Sequence, residues 1–251
     1  MIQAVIRNKI KSEIRDYFKT KEDTLTSSVF GNMLFLPTKY FLEILSKASY
    51  DRFSYSYFGD LQNYDFWPHW NSKNTSNEKY VEPDLFLRFE NVDMIIEAKR
   101  YDDFQQNKEQ WKKEVTSYYN EYKDDKKELI FLAVGGININ NSEKILVNDK
   151  EIKVIKVRWK KILYELIKIQ KDIEMIKPYS ENINSIQRII NVIIQGFELH
   201  GFLTIKWFKD FNVHFYISDN TINNWKPNNN YLFHFNNNFK IEKDNINIWK
   251  Q

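Results

Sequence analysis

The chain has 251 residues, 42% of them hydrophobic and 16% aromatic, which is enough for one main domain and a small second one. Its formal net charge of +3 leans only weakly towards a polyanionic partner such as nucleic acid. The absence of cysteine excludes disulfides, iron–sulfur clusters, thiolate zinc sites and cysteine nucleophiles, and it leaves carboxylates and histidines as metal ligands. No apolar run approaches the roughly 18 residues that span a bilayer, and the start of the sequence lacks the pattern of a secretion signal. We therefore expect no membrane association and a cytoplasmic location.

The amino-terminal part of the chain is predicted to be helical. Apolar residues four apart place a stripe along a helix over residues 2–18. Thr20 and Asp23 resemble a capping box, which indicates the start of a second helix that ends before Pro37. A third helix is predicted over residues 38–48.

An aromatic segment and a β-hairpin are predicted to follow these helices. Residues 53–70 show no regular period, and the polar residues 71–77 indicate a loop. The segments 81–89 and 92–99 are rich in apolar, β-branched and aromatic residues, which is typical of strands. The short turn Glu90-Asn91 between them predicts a hairpin.

Helix and strand alternate in the next part of the chain. The apolar run 129–134 is typical of a strand buried on both faces, and residues 152–157 alternate like a half-buried strand. Residues 159–169 return to helical spacing. The helix that precedes the first of these strands presents one apolar face, formed by Phe104, Trp111, Val115, Tyr118 and Tyr122. This order of elements predicts an α/β fold.

We expect two domains. Residues 1–175 would form the main domain, and residues 176–251 would form an accessory region. The accessory region begins with a predicted helix over 181–199. The Asn-rich and aromatic segment 200–251 that follows is interpreted as a small β-rich appendage.

Two carboxylates and a lysine lie at neighbouring ends of the predicted hairpin. Asp84 lies early in the first strand, and Glu97 lies at the end of the second. Because side chains alternate along a strand, Glu97 and Lys99 share one face while Ala98 points to the other. Asp84, Glu97 and Lys99 are therefore predicted to converge. The alternative interpretation is a solvated Asp after a Pro turn together with a surface Glu–Lys pair, which would leave the convergence without a cause.

Such a group suits phosphodiester hydrolysis with a divalent metal. The two carboxylates would bind a hard cation, Mg²⁺ or Mn²⁺, through oxygen. Lys99 would instead hold the attacking water or the scissile phosphate and screen charge in the transition state. The predicted reaction is in-line attack of a metal-activated hydroxide on a phosphodiester.

These residues resemble the signature of the PD-(D/E)XK nuclease superfamily, present here as Pro83-Asp84 followed by Glu97-x-Lys99. In that family the two carboxylates and the backbone carbonyl of the intervening residue bind metal. By this resemblance Ala98 is the third metal ligand.

The resemblance covers about residues 5–160 in element order and implies a fold. The expected fold is a restriction-endonuclease-like core, in which helices flank a mixed central sheet, with a small C-terminal appendage. Residues 1–175 would then be the nuclease domain. The stretch 22–26 is also similar to one found in bacterial defence and restriction nucleases of this class.

The resemblance implies two further site residues. Many members of the superfamily carry an acid on the helix before the hairpin, and Glu22 is the choice here because it shares the apolar stripe of its helix. The rival is Glu13 on the first helix, and a first-turn acid that favours the helix dipole is the alternative role for Glu22. Gln110 corresponds to the glutamine that positions the site in some branches, or it is a solvated amide at the edge of the helix.

Other residues are candidates for contacts with nucleic acid. His69, between two tryptophans, would touch a base or a phosphate unless it is an ordinary loop residue. Lys108 and Lys112, one turn apart, would meet phosphates unless they belong to a solvated helix face. Tyr118 is interpreted as a core residue. The remaining histidines, which lack the spacing of a zinc site, are His200, His214 and His234.

The resulting hypothesis is a Mg²⁺- or Mn²⁺-dependent DNA endonuclease of bacterial anti-phage defence or restriction. It would act as a homodimer or with partner subunits of a defence complex. One alternative is a non-cutting nuclease-fold subunit that binds nucleic acid or scaffolds such a complex, although the intact acid–acid–lysine set argues against it. Another is a junction resolvase, which would require a symmetric dimer with two basic faces.

Overall fold

The computed structural model describes residues 2–7, 9–123, 125, 127–176 and 181–202. The chain divides into two units, Met1–Thr204 and Ile205–Gln251, and all of these residues belong to the first. That unit is a mixed α/β structure in which helices flank a central sheet. The predicted β-rich appendage lies outside the described residues, apart from its first three positions.

Helices and strands alternate along the described chain. The helices are α1 (Ile2–Ile6), α2 (Ser12–Thr20), α3 (Glu22–Met33), α4 (Thr38–Ala48), α5 (Lys108–Glu121), α6 (Trp159–Ile176) and α7 (Glu181–Leu199). The strands are β1 (Leu61–Phe66), β2 (Trp70–Asn71), β3 (Tyr80–Val81), β4 (Leu85–Phe89), β5 (Val92–Ala98), β6 (Glu128–Val134), β7 (Glu143–Val147) and β8 (Lys150–Val157). Within the described part of the chain, every helix is too short or too polar to cross a membrane.

The central sheet has six strands in the order β1-β4-β5-β6-β8-β7. Its middle strands β5, β6 and β8 run parallel, while β1, β4 and β7 are antiparallel to their neighbours. Every residue of β5 is buried, which explains its nearly continuous apolar sequence. β2 and β3 form a separate small ribbon.

The core lies on both faces of the sheet. On one face Leu85 and Ile96 pack with apolar residues of α3, α4, α6 and α7. On the other face Phe86 and Ile95 pack with the buried side chains of α5. Because alternate residues of a strand share a face, Glu97 lies on the α5 side together with Ile95.

Helix α7 is part of this core. It packs against α3 and α6, and Ile190, Ile193 and Phe197 are completely buried. The predicted domain boundary after residue 175 therefore falls inside the first unit, between two helices that share an apolar interface.

The predicted helix over residues 2–18 is interrupted. α1 ends at Ile6 and α2 begins at Ser12, and Ile14 on the predicted stripe remains exposed. Isolated helices have only marginal stability in water, and most of their stability in proteins comes from packing of an apolar face. An apolar stripe that remains exposed therefore does not stabilise one long helix. The predicted capping box is also wrong, because Thr20 donates to carbonyls of its own helix and α3 begins after Lys21 without a side-chain cap.

Two edge strands were not predicted from the sequence, and one strand differs in its bounds. β1 is mostly exposed, so its sequence lacks the alternation of a half-buried strand, and β7 was not predicted. The strand predicted over residues 81–89 is divided: Val81 ends β3, and β4 begins at Leu85, after Pro83, which has no amide to donate to a neighbouring strand. Residue Asn71, predicted in a loop, ends β2.

Candidate active site

Asp84 and Glu97 lie side by side where β4 begins and β5 ends. Leu85 pairs with Ile96 in the antiparallel ladder between β4 and β5. This pairing brings the neighbouring residues Asp84 and Glu97 together. Asp84 is only 8% exposed, and its Oδ2 accepts a hydrogen bond from the amide of Ala98 at 2.8 Å. This bond ties the carboxylate to the last residue of β5.

Trp67 completes the environment of Asp84, and sequence analysis did not identify it. Its indole Nε1 donates to Asp84 Oδ1 at 3.3 Å, and its amide donates to the Asp84 carbonyl at 3.2 Å. Trp67 has a φ of 52°, an uncommon value for a bulky residue that is held here by these two bonds. The aromatic, irregular sequence around it carries no signal for this contact.

Glu97 is the most enclosed member of the predicted triad, at 2% exposure. Its Oε1 accepts from Lys99 Nζ at 2.5 Å and from Gln110 Nε2 at 2.6 Å. Gln106, another residue that sequence analysis missed, donates to the Glu97 carbonyl at 3.0 Å. The structure thus brings Asp84, Glu97 and Lys99 together and adds Gln110, which contacts the site instead of standing as a solvated amide.

Glu22 reaches the same cluster from the first turn of α3. Its Oε1 lies 3.3 Å from Lys99 Nζ, and its Oε2 accepts the Arg100 amide at 2.8 Å. Glu13, the rival choice, lies exposed on α2. Glu22 therefore contacts the lysine and the backbone next to it.

The backbone of Lys99 is held by three neighbouring segments. Its amide donates to the carbonyl of Val134 at 2.7 Å, and its carbonyl accepts from Trp159 Nε1 at 2.7 Å. The turn that follows β6 contains Gly135 and Gly136, with φ values of 67° and 60°. These glycines directly follow the strand that was predicted over residues 129–134.

Burial and mutual repulsion disfavour the charged form of the carboxylates in the cluster. Burial, reinforced by the negative charge of Glu97, raises the pKa of Asp84 well above its ordinary value. Burial also raises the pKa of Glu97, although Lys99 opposes the shift. Burial opposes the charge of Lys99, but Glu97, Glu22 and Asp84 outweigh it and the lysine pKa is raised. Lys99 is therefore a cation at neutral pH.

A further acid, Glu114, lies behind Glu97 and was missed by sequence analysis. It is 1% exposed, and neither carboxylate oxygen has a hydrogen-bond partner among the described residues. Burial, followed by the charges of Glu97 and Asp84, raises the pKa of Glu114 well above its ordinary value. The signal was present in the sequence, since Glu114 interrupts the apolar stripe that includes Trp111 and Tyr118.

The other residues predicted to contact nucleic acid pair with surface side chains. His69 Nε2 is 2.7 Å from Glu82 Oε2, and its ring stacks on Tyr80 at 3.9 Å. Lys112 Nζ is 2.8 Å from Glu109 Oε1 on the outer face of α5. Their polar groups contact these surface side chains and not the carboxylates of the cluster.

The remaining candidates that the structure describes contact residues outside the cluster. Tyr118 is buried as predicted, and its hydroxyl donates to Asp93 Oδ2 at 3.0 Å. His200 is buried between Lys19 and Arg100, and burial lowers its pKa to about 4, so that it is neutral at physiological pH. Lys108 pairs with Glu143. The histidines at positions 214 and 234 lie outside the described residues.

The cluster has the chemistry of a site for a hard cation. Among the described residues, no three acidic or histidine side chains already surround one metal position. Asp84 and Glu97 nevertheless offer adjacent carboxylate oxygens, which Mg²⁺ and Mn²⁺ prefer. Glu114 adds two buried oxygens without hydrogen bonds. A cation at this place would relieve the repulsion that raises the pKa values of these acids.

The fold and the site together define a mixed α/β protein with a buried cluster of carboxylates and a lysine at the carboxyl end of β5. No protein-family model matches the chain. The chain is 32% identical over 205 residues to the uncharacterized protein PM0110 of Pasteurella multocida (strain Pm70), in an alignment that covers 75% of this chain and 73% of that protein. The chain belongs to the same family as this Pasteurella protein.

Proposed function

We propose that this protein is a metal-dependent nuclease with a PD-(D/E)XK site and a restriction-endonuclease-like core. The observation that carries the proposal is the arrangement of Asp84, Glu97 and Lys99. The two carboxylates lie at neighbouring strand ends, and the lysine contacts Glu97 at 2.5 Å. Carboxylate oxygens are the ligands that a divalent cation such as Mg²⁺ takes, and a positive charge beside them suits the stabilisation of negative charge on a phosphate.

The residues of the proposed site would have two roles, metal binding and stabilisation of charge on the phosphate. Asp84, Glu97 and the carbonyl of Ala98 would hold Mg²⁺ or Mn²⁺. When bound, this ion supplies a water of lowered pKa and stabilises charge on the leaving oxygen. Lys99 is already protonated, so its role is to stabilise negative charge on the phosphate and not to remove a proton from water.

Two neighbours would keep the site in this geometry. Gln110 donates to Glu97 Oε1 at 2.6 Å, which orients the carboxylate. Glu22 contacts Lys99 Nζ at 3.3 Å and so holds the ammonium group near the strand end. Both act through a residue of the triad, and this makes them positioning residues.

The proposed substrate is DNA, and the proposed setting is bacterial anti-phage defence or restriction. A net charge of +3 supports only modest attraction to a polyanion. Lys112 and His69 are the proposed outer contacts with DNA. Target choice would then come from a homodimer or from partner subunits of a defence complex.

A cleavage assay tests the proposal. The full chain is incubated with supercoiled plasmid, linear duplex and single-stranded DNA in Mg²⁺, Mn²⁺ or EDTA. We expect cleavage with either metal, none with EDTA and none by the Asp84→Asn variant. The control is Asp172→Asn, since Asp172 is an exposed residue on α6.

Two results would count against the proposal. Cleavage by Asp84→Asn at the parent rate would show that the site is misassigned. Binding of DNA by the parent without cleavage in either metal would favour a non-cutting subunit of the same fold.

A further inference from the structure

Glu114 is a buried acid for which the proposed triad has no role. It lies on α5 one turn after Gln110, at 1% exposure, on the face of the helix that packs against β5. Gln110 already donates to Glu97 from this face. Residues four apart on a helix are neighbours, so Glu114 approaches Glu97 from the same side.

The contact between Glu114 and Glu97 lacks a donor. The two carboxyl groups lie close enough to share a proton. As carboxylates, however, neither has hydrogen to donate, and both oxygens of Glu114 remain without a partner among the described residues. Buried carboxylates are stable only when a hydrogen bond, an opposite charge or a metal ion compensates for the lost water. A proton or a metal ion must therefore compensate these buried acids.

The charges of the cluster favour a divalent cation there. Four carboxylates meet in it, those of Glu22, Asp84, Glu97 and Glu114, and Lys99 contacts two of them, Glu97 and Glu22. The ammonium group of Lys99 lies against Glu97 Oε1 and Glu22 Oε1, and its ion pairs are with these two acids and not with Glu114. A hard cation bound by oxygen would compensate the excess of negative charge.

We propose that Glu114 is a third carboxylate ligand of the divalent-cation site, in addition to Asp84 and Glu97. This inference rests on the proposed function and extends its ligand set to helix α5. The competing occupant is a proton shared between Glu97 and Glu114, which would make Glu114 a structural partner without affinity for metal.

Calorimetric titration with Mn²⁺ in the absence of DNA tests the inference. The full metal-free chain is compared with Glu114→Gln, which removes the charge and keeps the shape. The matched control is Glu165→Gln, because Glu165 is also a buried glutamate with an unpartnered oxygen but lies on α6. We expect Glu114→Gln to weaken Mn²⁺ binding about tenfold or more and the control to leave it within about twofold of the parent.

Thermal unfolding gives a second readout on the same variants. Without metal, Glu114→Gln should unfold at the parent temperature or above it, because a buried acid without a hydrogen-bond partner among the described residues is replaced by a neutral amide. Saturating Mn²⁺ should raise the unfolding temperature of the parent more than that of the variant, since bound ligand stabilises the folded state according to its affinity. Glu114→Leu, an apolar replacement of similar size, repeats the test without an amide.

The outcomes separate this inference from the proposed function. Parental Mn²⁺ affinity in Glu114→Gln would overturn the inference, and a lower unfolding temperature of the metal-free variant would then assign a shared proton. If Asp84→Asn still weakened Mn²⁺ binding in that case, the proposed function would stand. A parent protein that binds no Mn²⁺ would overturn both.

Discussion

A Cβ atom placed on Gly135 would lie 2.2 Å from the carbonyl oxygen of Lys99. The turn after β6 therefore packs directly against the backbone of the proposed catalytic lysine. The same Lys99 oxygen accepts a hydrogen bond from Trp159 Nε1 at 2.7 Å. No side chain fits between these groups, and the φ of 67° at Gly135 itself favours glycine.

Gly135→Ala should therefore destabilise the protein and displace Lys99. We expect a loss of roughly 3 kcal/mol in the free energy of unfolding, from the left-handed conformation and the steric clash together. Urea denaturation measures it. The control is Gly201→Ala, where φ is 86° but no described atom lies within 4 Å, so only the conformational cost of about 1 kcal/mol applies. Equal losses in the two variants would contradict the role of the close approach.

Lys99→Met should separate metal binding from turnover. Both carboxylates remain in this variant and a positive charge next to them is lost, so Mn²⁺ affinity should equal or exceed that of the parent. Cleavage should fall by about a hundredfold or more, because the group that stabilises charge on the phosphate is gone. Calorimetry and single-turnover cleavage give the two numbers. Loss of Mn²⁺ binding in this variant would show that the lysine holds the carboxylates in place instead.

Gln110→Ala and Lys112→Ala should differ in kind although both residues lie on α5. Gln110 orients Glu97, so its loss should lower the maximal cleavage rate with little effect on DNA affinity. Lys112 is a proposed phosphate contact, so its loss should weaken DNA binding and reduce the dependence of binding on salt by about one charge. Cleavage kinetics and binding titrations at several salt concentrations distinguish the two. If both variants changed the cleavage rate and the DNA affinity in the same way, the separate roles assigned to Gln110 and Lys112 would be contradicted.

His200 should make stability fall in mild acid. Burial lowers its pKa to about 4, so between the ordinary histidine value and that pH the unfolded chain binds a proton that the folded chain does not. The contribution of His200 is fully present above the ordinary value and is lost as the pH falls to about 4, by up to about 3 kcal/mol. Comparing unfolding of the parent and His200→Gln across this range isolates the effect, because the raised pKa of Asp84 acts in the opposite direction in both. A constant difference between them would contradict the prediction.

The sequence by itself determined the features that depend on local order. Alternation along a strand places Glu97 and Lys99 on one face, and the hairpin brings Asp84 to the same end of the sheet. The apolar run of β5 and the helical stripe of α7 were also visible in the sequence, because periodicity reports which residues avoid water.

Tertiary structure decided the rest, because those contacts join residues far apart in the chain. Glu22 reaches Lys99 from another helix, and Trp67 reaches Asp84 across an irregular segment. The helix predicted over residues 2–18 is interrupted because α2 has few core residues to pack against, and Ile14 remains exposed. Glu114 interrupts the apolar stripe of α5, but its burial beside Glu97 follows only from the packing of α5 on β5. Whether a charge is buried or solvated depends on what packs over it, and no local pattern contains that information.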